Sequence, residues 1–137
     1  MAANTAPRYT LIANTSPGKI ALTGNTARDS SGTSILIFTA DATDGSRVSK
    51  IRCCTLGTNT ASNIMIWLNN GSAAGPTTSS LIADVTLPGT TVSQVAGQTP
   101  VDIVLDIDMP ASYRLYATVG TTMAIGWNVS AFGGDFS

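Results

Sequence analysis

Apolar residues in this chain fall into short runs of alternating or continuous hydrophobicity, separated by turn residues. The clearest alternation sets Val101, Ile103, Leu105, Ile107 and Met109 on one side and Asp102, Val104, Asp106 and Asp108 on the other, between Pro100 and Pro110. A period of two with bracketing prolines predicts a half-buried strand. Residues 114–119, closed by Gly120, predict a second. Similar runs at 19–22, 34–39, 47–55, 63–69, 81–87 and 124–132 bring the expectation to about eight strands. Asp44-Gly45 and Asn70-Gly71 are turn pairs that accept positive φ, the first read as a hairpin, and Pro88-Gly89 ends a strand. Residues 93–97 alone could form a helical turn. Eight strands in one chain of this size predict an all-β, single-domain β-sandwich of jelly-roll or Greek-key type over residues 10–137, preceded by an N-terminal arm at 1–9.

Composition narrows the chemistry. The 137 residues hold seven Lys plus Arg against eight acids, all Asp, and no His, for a net charge of -1. Thr and Ser supply a quarter of the chain, so the exterior is expected to carry hydroxyls rather than charges, and so little net charge favours association. Without His or Glu there is no ready proton shuttle near neutral pH, which argues against an enzyme and leaves no catalytic residue to name. The longest apolar runs, 35–38 and 64–68, are far too short for a membrane helix. The first residues show no secretion signal, and the chain is expected to stay where it is made. Adjacent Cys53 and Cys54 point to opposite faces of a strand, so two free thiols are expected, one of them packed in the core.

Asp102, Asp106 and Asp108 could present three carboxylates to calcium, but a straight strand does not wrap an ion, and a solvated or partner-facing surface is the simpler reading. No metal or cofactor is expected. Arg47, Lys50 and Arg52 cluster within six residues, with Lys50 and Arg52 on one face by strict alternation. An acidic chain lacks the basic excess of a nucleic-acid surface, so these cations are expected to pair with the Asp row or with a protein partner. Trp67 is expected either to project from the sheet or to lie in a second buried layer. Pro7, Tyr9, Phe132 and Phe136 are candidate apolar anchors, with the arm and the tail 132–137 held against neighbouring subunits. The predicted partner interface is thus Pro7, Tyr9, Arg47, Lys50, Arg52, Trp67, Phe132 and Phe136.

The segments 44–48 (Asp-Gly-Ser-Arg-Val), 57–61 (Gly-Thr-Asn-Thr-Ala), 66–72 (Ile-Trp-Leu-Asn-Asn-Gly-Ser), 84–88 (Asp-Val-Thr-Leu-Pro) and 126–135 (Gly-Trp-Asn-Val-Ser-Ala-Phe-Gly-Gly-Asp) resemble a family of small tailed-bacteriophage virion proteins. The resemblance implies a structural protein of the virion, a capsid decoration (cement) protein. It would bind the outer surface of the shell, with the major capsid protein and its own copies, as a homotrimer, for partners. Neither nucleic acid nor membrane is among the expected partners. Such a protein would be made in the host cytoplasm and end on the capsid surface. The alternative is a tail or fibre module binding a host glycan, for which Trp67, Trp127 and the Asn-rich loops would supply stacking and hydrogen bonds.

Overall fold

The structure, a computed structural model, describes residues 9–137. Pro7 and the rest of the predicted arm, apart from Tyr9, lie outside them. Eight strands form: β1 (Ile12–Ala21), β2 (Ile35–Thr39), β3 (Ser46–Thr55), β4 (Ser62–Asn69), β5 (Ser79–Leu87), β6 (Val101–Met109), β7 (Arg114–Val119) and β8 (Trp127–Asp135). They build two antiparallel four-stranded sheets, ordered β1-β8-β3-β6 and β2-β7-β4-β5. The chain changes sheet at every connection except β4–β5. The pairs β1·β8, β2·β7, β3·β6 and β4·β5 are those of one long hairpin rolled up on itself, which is the jelly roll.

The core forms because inward positions of both sheets are aliphatic. Val48, Ile51, Ile103, Val129 and Trp127 from one sheet meet Ile37, Ile64, Ile66, Leu87 and Leu115 from the other, all buried. Cys53 is the core thiol and Cys54 is half-buried; both are free.

Four expectations change. First, β1 begins at Ile12, not at 19, because the strand passes through Pro17 and Gly18 by a register shift between Ser16 and Lys19, with Gly18 at φ +76°. An edge strand tolerates a proline and a bulge there. Second, β8 runs on through Gly133 and Gly134 to Asp135, so the tail is held by its own chain. The Phe136 N–H donates to the Gly45 carbonyl at 3.2 Å, and the Ser137 hydroxyl donates to Asp41 at 3.3 Å. Third, Asp44-Gly45 makes no hairpin: it joins β2 to β3 across the two sheets, and Gly45 (φ +79°) backs onto the Met109 carbonyl, where any Cβ would collide. Fourth, residues 93–97 hold a tight turn closed by a Ser93–Ala96 bridge rather than a helical turn.

Residues 22–34 cover the outer face of the second sheet. Asn25 donates its N–H to the Val119 carbonyl at 2.7 Å; farther on Arg28 pairs with Asp84 of β5 at 2.5 Å, and Ser30 donates to the Gly75 carbonyl at 3.0 Å. This crossing accounts for the burial of Met65 and Trp67, which point away from the main core.

Candidate partner interface

Strict alternation sets Arg47 on the face opposite Lys50 and Arg52. The structure brings all three to one face. Ser49 is an extra residue in β3 between Val48 and Lys50, opposite the step from Phe132 to Gly133 in β8. Its hydroxyl donates to the Phe132 carbonyl at 3.0 Å. The bulge reverses the parity of the strand, so Val48 stays in the core while Arg47 turns outward beside Asp108.

The outer face of this sheet therefore reads as cross-strand rows. Arg47 lies between Gly134 and Asp108, Lys50 between Phe132 and Val104, and Arg52 between Ser130 and Asp102. The charges meet there. Arg52 donates from Nε and Nη2 to the two Asp102 oxygens, both at 2.7 Å, and Lys50 stands 4.0 Å from the same carboxylate. Arg47 donates to Asp108 at 2.8 Å and approaches Asp106 at 3.7 Å. Asp106 occupies the irregular step of β6 at φ +47°. The two hydrogen bonds from Arg52 hold the Asp102 carboxyl below its usual range, and that carboxylate raises the Arg52 guanidinium in turn. Arginines thus occupy the carboxylates considered for calcium. The Lys50 ammonium sits 5.7 Å from the centre of the Phe132 ring, a cation–π distance.

Beside these rows lies a shallow groove of about 270 Å³, walled by Thr10, Thr15, Arg47 and Phe132 and floored by Gly133 and Gly134. The glycines are needed for packing: a Cβ on Gly133 would strike the Arg47 carbonyl, and one on Gly134 would reach Thr10 at 2.7 Å. The groove contains hydroxyls, a guanidinium and a phenyl ring but no nucleophile paired with a base.

Of the predicted interface residues, Arg47, Lys50, Arg52 and Phe132 come together on this face. Tyr9 is 71% exposed and Phe136 half-buried beyond the end of β8. Trp67 is elsewhere. It is 6% exposed on the other sheet, and its indole N–H donates to the Thr118 hydroxyl at 2.9 Å, so the second buried layer is the arrangement found and Trp67 presents almost no surface to a partner. Trp127 is wholly inside the core. Neither tryptophan can stack on a glycan in this conformation.

The sequence reading missed Asn59, which ties three loops together. Its Nδ2 donates to the Thr55 hydroxyl and the Gly126 carbonyl, both at 3.0 Å, and its Oδ1 accepts from the N–H groups of Ile125 (2.9 Å) and Gly126 (2.8 Å). Its main chain also exchanges hydrogen bonds with Thr90 at 3.1 and 2.9 Å. The only signal was its place in a Thr-Asn-Thr loop, which reads as an ordinary turn. No family model, curated protein or solved structure matches the chain.

Proposed function

We propose that this chain is a bacteriophage virion structural protein, a capsid decoration protein that binds the outside of the assembled shell and stabilises it. The observation that carries the reading is the jelly-roll strand order, an architecture that recurs in viral capsid proteins, on a chain whose segments resemble small virion proteins. One architecture serves many functions, and the particular function resides in the surfaces it carries. Two surface features support it. The basic cluster is neutralised by Asp102, Asp106 and Asp108, which leaves little excess positive charge for nucleic acid. The groove offers shape and a ring, suited to contact rather than reaction. Burial of both tryptophans removes the stacking groups that the glycan-binding alternative relied on.

Each bound copy would favour the assembled shell by linkage, because it binds the closed lattice and not the dispersed subunits. The test adds purified protein to shells that lack it. Saturable binding to the exterior, with disruption of the shell moved to higher temperature, is expected. Failure to bind intact shells, or binding only to tails, would overturn the proposal.

A further inference from the structure

Asparagine is followed by glycine once in the chain, at Asn70-Gly71; the other seven asparagines precede Thr, Ile, Val or Asn. The pair has a chemistry of its own. The backbone nitrogen after an asparagine can attack that residue's side-chain carbonyl, and a following side chain crowds the approach, β-branched ones most of all.

The fold keeps this pair in place. Asn70 directly follows the last residue of β4; it is exposed, and its N–H donates to the Thr78 carbonyl at 3.1 Å. Gly71 (φ +93°) lies against the β6–β7 connection, where a Cβ would stand 2.9 Å from the Ser112 carbonyl oxygen. A residue with a side chain does not fit behind Asn70. Two hydrogen bonds then set the reactivity. The Ser72 N–H donates to Asn70 Oδ1 at 3.1 Å, aimed at the oxygen on which charge develops during attack. The Gly71 N–H donates to Oδ1 of Asn69 at 2.8 Å, and Asn69 is wholly buried, with its Nδ2 on the Ser79 hydroxyl at 3.0 Å. A proton held in such a bond meets solvent only when the bond opens.

We infer that Asn70 is a site of spontaneous deamidation whose rate Asn69 holds back. Hydroxide takes the Gly71 amide proton, and the nitrogen bonds to Asn70 Cγ. The bond from Cγ to Nδ2 breaks, water protonates the departing nitrogen, and ammonia, a succinimide ring and hydroxide result. Water then opens the ring at either carbonyl, to Asp or to isoaspartate. Either product adds a carboxylate to a chain of net charge -1. Isoaspartate also runs the backbone through the former side chain, which displaces Gly71 from Ser112.

The inference stands apart from the decoration reading, and its test needs no shell. The full chain is kept folded in mildly alkaline buffer while a peptide of residues 68–78 converts alongside it as a clock. Isoelectric focusing should resolve a more acidic form of the native chain. Peptide mapping should place the exchange of NH2 for OH at Asn70 ahead of every other asparagine. Asn70→Gln, whose longer side chain closes the ring poorly, should give no acidic form over the same period. Asn69→Ala, shown to be folded by its thermal transition, should convert about tenfold faster than the wild type, the effect of one hydrogen bond. An Asn70 unchanged in the folded chain when the peptide is spent, faster conversion of another asparagine, or a folded Asn69→Ala at the wild-type rate would overturn the inference.

Discussion

Asn59 shows how one side chain can fix a whole end of the fold. Replacing it with Ala leaves the Ile125 and Gly126 N–H groups without their partner and takes from the Gly126 carbonyl one of its two donors, the other being the Leu56 N–H. Unmade hydrogen bonds of buried groups are costly, so Asn59→Ala should lower unfolding stability by roughly 3 kcal/mol, read as a lower denaturant midpoint at unchanged slope. Cys53 gives a second prediction. Burial pushes its thiol up from 9.0 to about 12, with the negative charges of Cys54 and Asp102 adding to the effect. The unfolded chain then releases this proton first. Its contribution is complete below about pH 9 and is lost as pH rises towards 12, by roughly 1 kcal/mol per pH unit. Equilibrium unfolding across that range should show a steeper fall for the wild type than for Cys53→Val. In the native protein an alkylating reagent should modify Cys54 well before Cys53. Equal rates for the two thiols would contradict this placement.

At the scale of elements, the close approach of β8 to β3 is the sensitive feature. A methyl on Gly133 meets the β3 backbone, which cannot swing aside as a side chain can. Gly133→Ala should therefore cost about 1–3 kcal/mol, measured by denaturant unfolding, whereas Gly97→Ala, in open space, should be nearly neutral. The Arg52–Asp102 pair is exposed and screened by water, so Asp102→Asn should change little at neutral pH. A carboxylate whose pKa is depressed stabilises the fold above its ordinary value of 3.8 and loses that effect as pH falls through the folded value, so the variant should lose less stability on acidification below about pH 4. The bounds of β6 and β7 were legible to the residue, because Pro100, Pro110 and Gly120 mark their ends; the irregular step of β6 at Asp106 was not. Strands with bulges near their ends were misjudged in length as well. The pattern started β1 at Lys19 and left Gly133-Gly134 in the tail, since a period of two contains no sign of an inserted residue or of a neighbouring strand's backbone. The same limit placed Arg47 on the wrong face, because Ser49 looks like any other polar strand residue.

For the molecule as a whole, the sequence carried the two-sheet architecture and the jelly roll as first choice, while the burial of Trp67 depended on where residues 22–34 run, a long-range fact absent from local pattern. Charge remains the most informative global quantity. At a net charge of -1, with Arg28, Arg47, Lys50 and Arg52 paired to carboxylates, the protein has little long-range attraction to steer or hold it. If the chain decorates a shell as proposed, apolar and hydroxyl-bearing surface must supply most of its affinity. Occupancy on undecorated shells should accordingly change little between low salt and about 0.5 M, where the Debye length falls to a few Å; loss of most bound protein over that range would assign the binding to charges. The most direct test of the account is to count copies of this chain per particle by quantitative mass spectrometry of purified virions. A decoration protein should be present in hundreds, in fixed ratio to the major capsid protein. Tens of copies tracking the tail proteins, or none, would contradict it.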